Sequence, residues 1–180
     1  MTSGEARGRA DRSIGADRRA VGETASAVSA DYRRGVGIVL LNSNNLVFVG
    51  HRRDVPQPNG WQMPQGGIDE GETPREAARR ELREETGADK VEIIAKTRGW
   101  TRYDLPPHLV GVAWGGRWRG QMHRWLLMRF LGDDREIDLA TEHPEFSAWK
   151  WVTTKEACEI VVPFKRSVYV EVFVEFAMYF

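Results

Sequence analysis

The sequence predicts a single mixed α/β domain, in which strands and helices alternate irregularly along the chain. Three observations carry that prediction. Short apolar runs bounded by turn signals recur at Gly35–Leu41, Leu46–Gly50, Val91–Thr97, Arg124–Leu131 and Phe146–Val152, and they read as strands. A capping signature, Thr73-Pro74-Arg75-Glu76, opens a segment of helical composition. The chain has 180 residues and no visible internal repeat, which gives room for one compact domain and a tail.

Residues 1–30 are rich in Ala, Gly, Ser and Arg, and after Met1 only Ile14, Val21 and Val28 are large and apolar. Such a segment buries too little surface to offset the entropy of ordering. It is expected to be a mobile tail, with an arm that touches RNA or a partner as the functional alternative, and residues 31–180 form the domain. Gly35–Leu41 and Leu46–Gly50 flank the turn signal Asn42–Asn45 and so predict a β-hairpin. Val55–Gly60, with Pro56 and Pro58, reads as a loop, and Trp61–Gln65 as a short extended segment.

The helix begins at Thr73, where an N-cap threonine, a proline in the first turn and a glutamate three residues on coincide. Gly87 closes it as a C-terminal cap. Pro106–Gly120, rich in Pro, Gly and Trp, is expected to be a long functional loop. Phe164–Phe180 is long enough for a closing helix carrying Val168, Val172, Phe173, Phe176 and Met178, although its β-branched residues oppose helix formation.

Lys+Arg and Asp+Glu both number 26, so the chain has no formal net charge, which excludes a generally basic nucleic-acid coat and any long-range pull toward anionic membranes. Cys158 is the only cysteine and cannot form an internal disulfide, so nothing requires an oxidising compartment. It is expected to be buried. No apolar run reaches the roughly 18 residues of a membrane-spanning helix. The N-terminal residues lack the apolar core of a secretory signal, and Glu5, Asp11, Asp17 and Glu23 spoil a transit-peptide pattern. A cytoplasmic location is therefore expected.

The chemistry concentrates in the central helix. Glu81, Glu84 and Glu85 stand three and four residues apart, so their carboxylates share one side of a helix. Like charges at that spacing destabilise a helix, and glutamates near its C-terminal end oppose the macrodipole. Arg75, Arg79, Arg80 and Arg83 offer one compensation, a solvated and salt-bridged surface. The other is a hard divalent cation, because Glu81 and Glu85 lie alongside the expected buried seam of Ala78 and Leu82. The lead-in Gly66-Gly67-Ile68-Asp69-Glu70-Gly71-Glu72 lets backbone approach a ligand closely and present carbonyls to a metal.

Gly66, Glu72, Arg80-Glu81-Leu82, Glu84-Glu85 and Gly87-Ala88 stand at the spacing GX5EX7REUXEEXGU, and this segment resembles the Nudix box at every fixed position. The similarity extends over roughly residues 32–180. Tyr32-Arg33 before Gly35–Val39, Trp61–Gly67, Pro144–Phe146 with Trp149 and Trp151, and Phe164–Tyr169 resemble bacterial RNA pyrophosphohydrolases, also called (di)nucleoside polyphosphate hydrolases. Trp118–Trp125 is similar to the asymmetric diadenosine tetraphosphate hydrolases.

The resemblance implies the Nudix fold, a mixed sheet sandwiched between helices. It implies metal-assisted attack of water on a nucleotide-linked pyrophosphate. Residues matching Glu81, Glu84 and Glu85 hold Mg²⁺ or Mn²⁺ with a backbone carbonyl of the lead-in at Gly66, Glu145 approaches the same metals, and Arg80 pairs with Glu72 to orient the loop. Either Glu145 or a box glutamate takes the water's proton.

A nucleotide end needs cations for its phosphates and a flat surface for its base. Arg33, Arg34, Arg52, Arg53, Lys165 and Arg166 can supply charge, and Phe164 or Tyr169 can stack. Taken singly, each basic residue reads first as a solvated surface charge, and Phe164 as a core aromatic. The resemblance implies that Arg33 and Lys165 touch phosphate while Arg53 and Phe164 sandwich a base, although Asp54–Pro58 departs from the RNA enzymes. His51, His108, His123 and His143 show no ligand spacing and are expected to be structural or on the surface.

The expected activity is removal of pyrophosphate, or of phosphates stepwise, from triphosphorylated RNA to leave a 5′-monophosphate that enters mRNA decay, together with cleavage of dinucleoside polyphosphates. The alternative is a dedicated diadenosine tetraphosphate hydrolase releasing ATP and AMP. The intact glutamate set disfavours a non-catalytic nucleotide-binding module. DNA and membranes are not among the expected partners, and a protein that stimulates activity is left open.

Overall fold

The computed structural model describes residues 30–180, so the tail expected over residues 1–30 falls, apart from Ala30, outside the described residues. Two long strands organise the rest: β1 (Tyr32–Leu41) and β7 (Gly120–Phe130). They run parallel, in register from Tyr32 beside Gly120 to Leu41 beside Arg129. Every other pairing is antiparallel. The outer edge of β1 takes β4 (Gln65–Gly67) along Gly35–Gly37 and β2 (Val47–Arg52) at Leu41. The outer edge of β7 takes β6 (Thr101–Asp104) and β5 (Val91–Lys96). Strands β3 (Trp61–Gln62) and β8 (Phe146–Val152) flank β2.

Both faces of the sheet are covered, which explains why β1 reads as a continuous apolar run rather than an alternating one. On one face Val36, Ile38, Leu40, Leu126 and Met128 pack beneath Ala77, Ala78 and Leu82 of α1 (Pro74–Thr86). On the other, Val39, Leu41, Trp125 and Leu127 meet Ala157 of α2 (Thr154–Ile160) and Val168, Tyr169 and Val172 of α3 (Arg166–Glu175). This is the mixed sheet between helices that the resemblance implied.

The hairpin partners, the helix after Thr73 and the strands at Val91 and Phe146 form as expected. Four elements differ. Strand β7 begins at Gly120, four residues before the expected start, because the polar-flanked stretch Gln121–His123 pairs with both β1 and β6. Strand β6 and helix α2 carried no signal strong enough to be read. The closing segment is not one helix: a 3₁₀ turn at Pro163–Lys165 precedes α3, which ends at Glu175 before a second turn. The alternate valines Val168–Val174 all stay helical; the helix instead begins after the Pro163 turn and ends where Phe176 leaves helical geometry. Cys158 is half-exposed rather than buried. Among the described residues no helix is long and apolar enough to cross a membrane.

Candidate active site

Helix α1 is fixed at both ends by its own sequence. The Glu76 N–H donates to Thr73 Oγ1 at 3.4 Å, and the Thr73 N–H donates to the Glu76 carboxylate at 2.9 Å. At the other end Gly87 adopts φ 68°, a left-handed geometry that favours glycine, and its N–H donates to Arg83 O. These ends set the helix phase. Leu82 and Ala78 point into the core, and Glu85, only 2% exposed, is carried inward with them. Glu81 is mostly covered and Glu84 is exposed.

Glu85 is a carboxylate with incomplete company. Its Oε2 accepts from the Gln65 N–H at 3.1 Å, while its buried Oε1 has no hydrogen-bond partner among the described residues. Burial pushes its pKa well above the usual glutamate range, and the nearby carboxylates of Glu145 and Glu81 push the same way. Burial also raises Glu81, against the opposing pull of Arg80.

Arg80 is the hub of the surrounding charges. Its Nε and Nη2 grip Glu72 at 2.9 and 2.8 Å, and Nη2 also donates to Gly67 O at 3.0 Å. Its Nη1 reaches Glu81 at 2.9 Å and Glu84 at 3.2 Å. Glu72 in turn accepts from the Asp69 N–H, so one guanidinium ties the glycine lead-in to the helix. The lead-in lies directly on Glu81: a Cβ at Gly66 would fall 1.9 Å from the Glu81 Cδ, which no side chain tolerates.

The opposite wall is cationic and aromatic. Arg33 on β1, Arg53 just beyond β2, and Phe164 and Lys165 before α3 line the same cavity, of about 880 Å³, as Gly66, Glu81 and Glu145. Glu72, Arg80, Glu84 and Glu85 stand behind this lining rather than in it. The Arg53 N–H donates to Glu145 O at 2.9 Å, joining the two walls. Lys165 is buried, with Nζ donating to Gln62 Oε1 at 2.9 Å and Gln65 Oε1 at 3.3 Å. Burial and the Arg52 charge push its pKa down to about 7.

Phe164 is half-exposed and tilts against Tyr103, with ring centroids 5.5 Å apart. It therefore serves both readings, core contact and cavity lining. Tyr169 does not: it is 1% exposed and its hydroxyl accepts from the Met63 N–H, so it cannot stack on a ligand. Arg52 is engaged by Asp54, and Arg166 by the carbonyls of Cys158 and Glu159.

The histidines divide. His51 is buried, bonded to Asn59 O and Ser147, and His123 is buried and held neutral, its pKa pushed down to about 3 by burial. His108 lines the cavity and His143 is exposed. Sequence reasoning missed Tyr103, Gln65 and Gln121, linked by Tyr103 and Gln65 both donating to Gln121 Oε1. For Tyr103 the available signal was weak: Thr101 and Tyr103 alternate with the charged Arg102 and Asp104 over four residues, an alternation that burial follows.

Among the described residues no three carboxylate, imidazole or thiol side chains already converge as a metal cage. Arg80 draws Glu81 and Glu84 to itself. The donor set nevertheless suits a hard divalent cation: it offers oxygens only, and one of them is a buried, unpartnered carboxylate oxygen.

Sheet, glycine lead-in and glutamate-bearing helix together define an α/β sandwich with an acidic centre facing a cationic pocket. The NUDIX domain profile matches residues 31–172, and the chain belongs to the Nudix family. It is 54% identical over 155 residues to an RNA pyrophosphohydrolase of Cereibacter sphaeroides, a match covering 85% of this chain and 95% of the relative. An RNA pyrophosphohydrolase of Rhodospirillum rubrum is 51% identical over 152 residues, covering 84% and 91%. Among solved structures, the E. coli dihydroneopterin triphosphate pyrophosphohydrolase superposes with a TM-score of 0.61 at 24% identity, over 79% of this chain and 97% of that one. At that identity the likeness speaks for the fold alone.

Proposed function

We propose that this chain is a metal-dependent pyrophosphohydrolase that removes pyrophosphate, or phosphates stepwise, from the 5′ end of triphosphorylated RNA and also cleaves dinucleoside polyphosphates. The observation that carries this reading is Glu85, a buried carboxylate with one unpartnered oxygen beside Glu81 and Glu145, behind a cavity whose far wall is cationic and aromatic. The relatives named RNA pyrophosphohydrolase, matched over nearly their whole length, supply the substrate class.

Glu81, Glu84, Glu85 and Glu145, with a backbone carbonyl at Gly66, would hold Mg²⁺ or Mn²⁺. When bound, such a cation neutralises phosphate oxygens and lowers the pKa of an attacking water. The chain's own residues do the rest. The Arg80–Glu72 pair holds the lead-in against the helix, so that the backbone at Gly66 and the Glu81 carboxylate keep one relative position. Arg33 and Lys165 bind phosphate oxygens. Arg53 and Phe164 hold a base, with Tyr103 supporting Phe164 from the side. We assign the water's proton to a Glu145 carboxylate oxygen, since Glu145 is exposed to the cavity and adjoins Glu85. Cytoplasmic RNA decay is the process such an activity serves.

The second reading, a dedicated diadenosine tetraphosphate hydrolase, is favoured by Trp118–Trp125, which is similar to that subfamily. Product analysis with Mg²⁺ on triphosphorylated RNA and on diadenosine tetraphosphate, side by side, separates the two. Monophosphorylated RNA with released phosphate or pyrophosphate is expected. ATP and AMP from the dinucleotide, with the RNA untouched, would leave only the second reading.

A further inference from the structure

Beside the cavity lies a second, open depression of about 390 Å³, and the two share Arg33 and Gly67 in their linings. Tyr32, Arg34 and Trp118 continue the second lining outward from that shared edge. The surface around it alternates guanidinium groups with indole rings. Arg33 lies over Trp114 at 5.7 Å, and Arg117 over Trp118 at 4.7 Å. Arg34 and Arg124 both lie over Trp100, at 4.7 and 5.8 Å.

Among the described residues none of Arg33, Arg34, Arg117 and Arg124 has a carboxylate within 4.0 Å. Asp69, the acidic residue in the depression's lining, faces Arg80 at 3.7 Å. In a chain with 26 basic and 26 acidic residues, a band of arginines without acid partners is a local concentration of positive charge. A guanidinium held over an indole is oriented by the ring, and, apart from the Nη1 that Arg124 donates to the Arg98 carbonyl, the N–H groups of this band remain for an anion.

We propose that this depression and the Arg–Trp band beyond it hold the RNA chain downstream of the 5′ end, with phosphates on the arginines and bases against Trp118 and Trp100. The proposal rests on the RNA reading above and extends it from the reacting phosphates to the body of the substrate. The chemistry fits single-stranded RNA, which presents a repeating anion and exposed base faces together. The shared edge at Arg33 and Gly67 gives a strand that leaves the cavity a continuous path onto this surface.

The test compares the full chain with its Trp118→Ala and Arg124→Ala variants, in Mg²⁺, on a triphosphorylated dinucleotide and on a triphosphorylated RNA of about ten nucleotides. For the unsubstituted chain KM should be about tenfold lower on the longer RNA, as expected from one or two extra stacked bases. Each variant should lose most of that advantage and stay within about twofold on the dinucleotide. Arg124→Ala should also flatten the rise of KM with salt on the longer RNA.

Melting curves check folding, and Arg124→Ala carries the test if removing the half-buried Trp118 indole destabilises the domain. Variants that keep the length advantage, or lose rate equally on both substrates, would overturn the proposal. An unsubstituted enzyme that cleaves both RNAs with equal KM would also overturn it, and would point the band toward an acidic protein surface. If neither RNA is cleaved while diadenosine tetraphosphate is, the RNA reading itself fails and this surface falls with it.

Discussion

The two walls of the cavity are assembled in different ways. The acidic wall comes almost entirely from one stretch, Gly66 to Gly87, where a capping box, a glycine stop and one arginine fix the positions of three glutamates through near neighbours. Only Glu145 arrives from elsewhere. The cationic wall gathers Arg33 from β1, Arg53 from beyond β2, Tyr103 from β6, and Phe164 and Lys165 from the turn before α3. It exists only once the sheet has closed and α3 has packed. On the proposed reading, the acidic wall serves the reacting atoms and the cationic wall the rest of the substrate.

That contrast predicts where substitutions act. Glu84→Gln or Glu85→Gln, which keep shape and remove charge, should lower kcat about a hundredfold or more while leaving the fold intact, since loss even of outer-shell support to a metal site costs about ten- to a hundredfold. Wild-type turnover with Mg²⁺ in either variant would show that these carboxylates are not the reacting centre. Gly66→Ala should come next, with a loss of about tenfold or more in kcat, because its Cβ would lie 1.9 Å from the Glu81 Cδ and must displace that carboxylate. Unchanged kcat there would mean that Glu81 can move without consequence. On the other wall, Phe164→Ala or Arg53→Ala should raise KM about tenfold and change kcat less, the expected loss from one stacked base. A pure kcat effect would remove the distinction between the walls.

The same contrast governs what the sequence made legible. The helix, its caps and the glutamates were readable because their geometry follows from spacings of three and four residues and from capping chemistry. The glycine lead-in was readable as a place of close backbone approach, which at Gly66 is an approach to the Glu81 side chain. The cationic wall could be assigned only through resemblance, because nothing local distinguishes Arg53, whose N–H ties it to Glu145, from the exposed Arg79.

Tyr169 shows the limit most clearly. As a motif residue it suited stacking, yet its burial beside Trp125 and its bond from Met63 make it structural. Strand β6 and its Tyr103 were missed for a related reason: four residues with a single β-branched member carry a weak strand signal, and only pairing with β7 makes them one. The C-terminal helix proved shorter than the apolar run that suggested it: its valines are helical, while the Pro163 turn before it and the non-helical Phe176 after it set its ends.

The smallest effect concerns the acidic wall alone, without substrate or metal. The pKa of Glu85 is raised by burial and by its carboxylate neighbours, so the folded chain holds that proton more tightly than the unfolded chain does. The stabilisation from the protonated form is present below the ordinary glutamate range and is lost as pH rises through the raised value. Glu72 and Asp54, both lowered by arginine partners, titrate with the opposite sign and lose their contribution as pH falls.

A comparison of Glu85→Gln with the unsubstituted chain cancels those shared contributions. Glutamine keeps an oxygen for the Gln65 N–H and carries no charge. In chelator the variant should therefore melt a few degrees higher at neutral pH, with the difference shrinking toward pH ~4. Adding Mg²⁺ should raise the Tm of the unsubstituted chain more than that of the variant, because only a cation-binding folded state gains by mass action. A variant that melts lower than the unsubstituted chain at neutral pH in chelator would show that the Glu85 charge is already compensated within the protein, and that the acidic wall needs no cation to be at ease.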